Sequence, residues 1–268
     1  LIDAVGVGAV DAIVAVGIGL VFGVLRLVNF AYGQLMMVGA YMLIFTRSWA
    51  DALGIAAAVA AVAAVALVME RLAFRPLRSA DPTTMLIATF AIAFLLQNLA
   101  LLRSSIVDRP FEPAQTLSRL NQAASIGSLN IRWITLVAIV TAVVALGGLA
   151  LLLGRTSIGL QMRAAAMDFR TARLLGVRAN TVIMAAVAIS GLLAGVAAVL
   201  LTIQQPVVSS SFGLNETVAV LVGVVVGGID RLLSATLGGF AIGFATSFLG
   251  FELLPTNLGS SGSVPIPF

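Results

Sequence analysis

The side chains that could do chemistry in this chain are of few kinds: fifteen basic residues, all of them arginine, eleven aspartates and glutamates, and no lysine, histidine or cysteine. Without lysine there is no Walker A amine to reach a nucleotide phosphate and no Schiff base. Without histidine or cysteine, imidazole-based triads, thiol chemistry, haem ligation and imidazole- or thiolate-held zinc are excluded. Carboxylate pairs remain conceivable, but most of the acids stand in loops beside arginines. The expectation is a protein with no cofactor, no metal site and no enzymatic activity of its own, so that any use of ATP must come from another chain. The charge is densest in one internal stretch, 154–180, GRTSIGLQMRAAAMDFRTARLLGVRAN, which carries Arg155, Arg163, Arg170, Arg173 and Arg178.

The elements that must hold this stretch follow from composition. With 60% hydrophobic and 10% charged residues and a mean hydropathy of +1.13, the chain is no ordinary water-soluble domain. A membrane-crossing helix needs roughly 20 predominantly apolar residues. On that measure the spacing predicts an all-α, polytopic transmembrane bundle with candidate spans at 5–25, 34–46, 53–69, 84–102, 133–153, 181–203, 218–229 and 233–249. The second and seventh are short, and are expected to be either extended by small flanking residues or partial, re-entrant helices, which need shelter by protein or a water-filled cavity. The net charge of +4 does not point to nucleic acid, because the arginines sit in short loops between apolar runs.

Arginine placement sets the orientation. Arg71, Arg75 and Arg78 are separated from the 154–180 cluster by two crossings, so both face the cytoplasm, whereas 103–132 and 204–216 face outward. Trp49 and Trp133 then fall at the outer interface, where amphipathic rings settle. Asp81 and Pro82 make a helix start. The pairs Gly19/Gly23, Gly191/Gly195, Gly223/Gly227 and Gly239/Gly243 are spaced for close helix approach.

Within 154–180, Met162, Ala165, Ala166 and Phe169 recur at helical spacing, with Arg163 and Arg170 on an adjacent flank. This predicts a short amphipathic helix whose apolar stripe docks a cytoplasmic protein; the alternative is a basic loop that only fixes topology. Asn29 either caps a helix or lines a path, and Gln97 and Asn98 either bond another helix or line a cavity. A charged Asp11 costs about 2.5 to 3.5 kcal/mol at mid-bilayer. It lies within ~10 Å of the outer start of its helix at 1.5 Å per residue, and is expected to be wetted there.

At 27–41, LVNFAYGQLMMVGAY, the chain resembles the inner-membrane permeases of high-affinity branched-chain amino-acid (leucine/isoleucine/valine) ABC importers. Asn29, Phe30, Ala31 and Gly33 match that family's segment, Tyr32 stands for its usual histidine, and Gln34 stands where a carboxylate is common. The run from Glu70 to Arg78, ERLAFRPLR, is similar to the family's cytoplasmic loop, 159–176 to its ATPase-coupling loop, and 226–229, VGGI, to its Gly-Gly turn. The resemblance runs through 1–249. Asp11 replaces a frequent aromatic residue, and the tail at 252–268 departs from the family's further apolar helix. The resemblance implies one permease domain over 1–268, with its cytoplasmic coupling loop at 154–180. It also implies a second homologous permease subunit, a cytoplasmic ATPase dimer and an extracytoplasmic substrate-binding protein as partners. The coupling residues would be Arg163, Ala165, Ala166, Asp168, Phe169, Arg170, Leu175 and Gly176; Asn29, Gln97 and Asn98 would lie on the path. The other function class compatible with the residues is a stand-alone channel or ion-coupled transporter for a small polar solute, with Asp11 as its carboxylate.

Overall fold

The computed structural model describes residues 2–46, 49–78, 80–102, 123–126, 129–204, 212–228 and 231–253. Among them, six helices are long and apolar enough to cross a membrane, and two apolar helices are shorter. The long ones are α1 (Ile2–Leu25), α3 (Asp51–Leu77), α4 (Pro82–Leu102), α5 (Trp133–Arg155), α8 (Ala179–Gln204) and α10 (Leu232–Leu253). The short ones are α2 (Tyr32–Phe45) and α9 (Phe212–Gly227). Two small helices, α6 (Ser157–Met167) and α7 (Phe169–Leu174), fill the basic loop between α5 and α8. Between α4 and α5, a hairpin pairs β1 (Ala123–Ile126) with β2 (Leu129–Arg132), antiparallel, Ala123 opposite Arg132. Among the described residues this hairpin is the one departure from purely helical structure, and the expected helix bundle is what is found. The tail at 252–268 lies almost wholly outside the described residues.

The bundle is built around α1. Its most apolar window is 83% buried inside the chain, against 17% for those of α4, α5 and α10, which places α1 at the centre and the others at the lipid-facing perimeter. A helix made almost entirely of Gly, Ala, Val and Ile has no side long enough to keep neighbours away, so α5, α6, α8, α9 and α10 all close on it. α10 runs antiparallel to α1, with Gly19 beside Ala235 and Gly8 beside Phe240. α9 is antiparallel to α10, Gly223 against Gly238 and Gly227 against Ser234. α8 crosses α3 at Gly191 and Gly195, whose missing side chains let Ala63, Val59 and Ala66 approach. The small-residue pairs on α8, α9 and α10 therefore work as expected. Gly23 does not, since a methyl group there would meet nothing within 4 Å.

The two ends of the bundle are tied differently. At one end, Thr135 Oγ1 donates to Asp3 Oδ1 at 2.6 Å, joining the starts of α5 and α1, and exposed Trp133 lies on the same turn of α5. At the other, α1 ends on Arg26, whose φ of 55° is the left-handed conformation that a non-glycine residue adopts at a cost. Its guanidinium donates to the Ala166 carbonyl of α6 at 2.6 Å. There too α3 widens into a π turn over Glu70–Phe74 just before Pro76, which has no N–H to continue an α-helical ladder. Glu70, 2% exposed, is ion-paired with Arg78, and Arg78 also donates to Asn180 at the start of α8. The arginine clusters expected to share a side are thus joined on one side.

Two predictions follow from this arrangement. Arg78→Ala strands the buried Glu70 carboxylate and is expected to cost about 3 kcal/mol, since removing one partner of a buried pair is strongly destabilising; Glu70→Gln, which removes the charge, costs less. Thermal unfolding of the two variants in detergent checks the order. In intact cells, an impermeant thiol reagent added outside should label Trp49→Cys and not Thr171→Cys, and the reverse pattern would invert the topology. The absence of native cysteine makes that readout clean.

Candidate functional site

The basic loop is shaped by its caps. Thr156 turns the chain out of α5 and opens α6, its Oγ1 accepting from the Gly159 N–H at 3.0 Å. Asp168 ends α6 and starts α7: its Oδ1 accepts from the Thr171 N–H at 3.2 Å, and its Oδ2 accepts from the Thr171 hydroxyl. Gly176, at φ 88°, closes α7, with the Val177 N–H reaching back to the Ala172 carbonyl at 3.1 Å. That six-to-one bond is the glycine stop that satisfies a helix's last carbonyls.

The apolar stripe is corrected by the structure. Met162 and Ala165 are buried, at 1% and 3% exposure, and Phe169 packs half-buried on the bundle core. An apolar stripe beside a membrane bundle finds the bundle first, and this face packs on it. The apolar residues left furthest outside are Met167, Leu174 and Leu175, at 87%, 87% and 80% exposure, with Leu160 of α6 also exposed. Leu175 is among the residues that the resemblance marks; Met167 and Leu174 fall off the stripe that one continuous helix would give. Asp168 breaks that helix in two and turns the second segment over. Among the remaining loop residues, Arg163 is exposed, Ala166 is half-buried and holds Arg26 through its carbonyl, and Arg170 stands in the first turn of α7.

The second site lies within the bundle, where α2 and α9 begin. α2 runs parallel to α8, Tyr32 at Ser190 and Gly39 at Ala198, and so heads away from the basic loop. α9, antiparallel to α10, heads toward it. Their first turns meet backbone to backbone: a methyl group on Gly33 would fall on the Gly213 carbonyl and stand 2.6 Å from Thr217 Oγ1, and one on Gly213 would fall on Gly33. The short spans are therefore two half-helices joined at their N-termini inside the bundle. Two N-terminal ends bring unpaired N–H groups and positive potential to one place.

Buried polar groups collect there. Tyr32, fully buried, covers Gly17 and donates to the Ser190 carbonyl at 3.4 Å, while Ser190 Oγ donates to the Gly17 carbonyl at 2.8 Å. Asn29, 3% exposed, accepts from the Ala31 N–H at 3.1 Å and makes the turn into α2, which favours the capping alternative. Gln34, with 0% exposure, has neither amide atom hydrogen-bonded, and Thr217 Oγ1 is likewise unpaired among the described residues. A native chain rarely leaves such groups without a reason. Gln97 and Asn98 are not brought to this junction: both are half-buried on α4, and Asn98 Nδ2 donates to the Phe94 carbonyl of its own helix at 2.7 Å.

Asp11 is also placed against expectation. It is 3% exposed, with Oδ1 unpaired, where α10 passes close enough for a methyl group on Gly243 to stand 2.9 Å from Asp11 Cβ. Depth along α1 suggested water; lateral burial by a glycine-bearing neighbour removed it. No group of three metal-ligating side chains occurs among the described residues.

Comparison with known proteins gives one consistent result. The family described as the permease component of branched-chain amino acid transport systems matches residues 1–260. The high-affinity branched-chain amino acid transport system permease protein BraD of Pseudomonas aeruginosa is 28% identical over 259 residues, covering 92% of this chain and 84% of that protein. The permease protein LivH of Escherichia coli K12 is 27% identical over 262 residues, covering 91% and 83%. The probable permease protein LivH of Methanocaldococcus jannaschii is 26% identical over 248 residues, covering 90% and 77%. No solved structure matches.

The cap geometry yields a local prediction. Gly176→Ala forces a left-handed conformation that costs an L residue about 1 to 2 kcal/mol, and Gly176→Leu should cost at least as much. Hydrogen exchange should quicken in 169–177 while α1 and α8 keep their protection; equal protection throughout would show that the stop is not strained.

Proposed function

The chain belongs to the family of permease components of branched-chain amino acid transport systems, and from that membership we propose that it is the transmembrane permease subunit of an ATP-driven importer for branched-chain or related amino acids in the bacterial inner membrane. Its partners in this reading are a second homologous permease, a cytoplasmic ATPase dimer and an extracytoplasmic binding protein. ATP turnover belongs to the ATPase, for this chain has no lysine to form a phosphate-binding loop. The purified chain is expected to hydrolyse no ATP.

The observation that supports coupling is the exposed knob of Met167, Leu174 and Leu175 on a loop held by three caps. Apolar side chains presented on a rigid support are what a partner's cleft can grip, and anchors of that kind can each be worth about 2 kcal/mol or more. Arg163, Asp168 and Arg170 would fix its charge pattern and Gly176 its shape. Arg26, bonded to Ala166, joins the loop to the end of the central helix, so a displacement of α6 is felt by α1. Alternating access would use that link.

The path would pass the Gly33–Gly213 junction. Broken helices inside a membrane commonly mark transport sites, their N-termini turned toward anionic substrate groups, and an amino acid carries a carboxylate. Gln34 and Thr217 offer the polar atoms that the fold leaves unused.

Two measurements test this reading. Leu174→Glu and Leu175→Glu should leave insertion normal and lower ATPase recovery on co-purification by at least tenfold; full recovery would reduce the loop to a topology signal. Gln34→Leu should leave thermal stability unchanged or raised, because it removes unpaired buried atoms, and yet lower transport at least tenfold in vesicles holding the complete system. Unchanged transport would take the path elsewhere.

A further inference from the structure

At the basic-loop end of the bundle, a groove of about 400 Å³ opens between α1, α5, α6 and α10. Its floor is Gly19, Gly23 and Gly154 and its walls are aliphatic, among them Leu20, Leu153 and Leu233. That volume falls within the roughly 300–1,000 Å³ of small-molecule pockets. Arg163 is the one charged residue among those lining it. Arg231, exposed, directly precedes Leu232 and Leu233 of the α10 wall. Arg26 is fixed beside it through the carbonyl of Ala166, another lining residue. Leu233 is 81% exposed, so the groove opens sideways toward the hydrocarbon.

Depth and charge together select an occupant. From Gly19 to the end of α1 at Leu25 is about 9 Å of helix axis at 1.5 Å per residue, so the groove starts at the cytoplasmic headgroup level and runs into the acyl layer. Its inner part is apolar and its outer rim basic, and among the described residues no acid lines it. Asp168, on the same loop, is committed to opening α7 through Thr171. A protein segment seated here would not need cations set only at headgroup depth, and a neutral lipid would gain nothing from them. Basic pockets between membrane helices on the cytoplasmic side suit anionic headgroups.

We propose that this groove is a binding site for one anionic phospholipid of the inner leaflet, its acyl chain along Gly19, Gly23 and Gly154 and its phosphate against Arg163 and Arg231. The lipid would wedge between α6, which carries the partner-facing knob, and the central helix, and so stiffen the joint at Ala166. The lipid assignment does not depend on the transport reading, because the groove and its rim are present whatever the chain moves.

The test uses the full chain, co-purified with whatever subunits accompany it, and native mass spectrometry with titrated phosphatidylglycerol or phosphatidylcholine of identical acyl chains. Wild type should retain phosphatidylglycerol at least tenfold better. Arg163→Gln and Arg231→Gln should each lower its retention about fivefold, the value of one arginine near a lipid surface, whereas Arg163→Lys should restore most of it. Gly23→Leu and Gly154→Leu, at positions where a methyl group meets nothing within 4 Å, should fill the groove and abolish retention of both lipids without lowering thermal stability. Equal retention of the two lipids by wild type, or phosphatidylglycerol retention that survives both glutamine variants or either leucine variant, overturns the proposal. So does a leucine variant that keeps its lipid but loses a co-purifying subunit, because the groove then seats protein.

Discussion

Backbone polar groups inside a membrane must find partners within the protein, and the junction of Gly33 with Gly213 is where this chain meets that constraint most severely. Two helices begin there, and at α2 a turn at Asn29 takes the N–H groups of Ala31 and Tyr32. The solution is to bury the junction: Tyr32 lies on Gly17, Ser190 bonds the Gly17 carbonyl, and Asn29 takes the Ala31 N–H. That shelter needs α1 at the centre and α8 tight against it. The glycine-rich contacts between α8 and α3 and between α10 and α9 then hold the wall in place.

Buried polar side chains meet the same constraint unequally. Some buried polar groups are paired, as in Glu70 with Arg78 or Thr135 with Asp3, although Arg78 Nε itself has no partner among the described residues. Gln34, Thr217 and Asp11 are buried with atoms unpaired. Burying such a group without a partner costs roughly 1 to 3 kcal/mol, a large share of a marginal folding free energy.

At the basic-loop end the logic is reversed, with apolar groups left in water. Met167, Leu174 and Leu175 stay out because Thr156, Asp168 and Gly176 fix where each short helix starts and stops, and those caps turn the apolar residues away from the bundle. Arg26 spends its left-handed backbone conformation on a bond to the same loop. One loop therefore faces the bundle through Met162 and Ala165 and faces outward through its knob.

Composition and local periodicity were enough to determine the spans and their approximate ends, and they gave the expectation for the orientation and for 154–180. These depend on hydrophobic length and on arginine placement, which are properties of the chain itself. Even the shortness of α2 and α9 was legible. What the tertiary structure alone decided was which way each surface faces. Met162 and Ala165 turned inward, Met167 and Leu174 outward, Asp11 lost its water to α10, Gln97 and Asn98 stayed on peripheral α4, and Gln34 came to the junction instead. Helical spacing says which residues share a face; only packing says what that face meets, because a neighbour without a side chain, such as Gly243 or Gly213, leaves no mark on the residue it approaches.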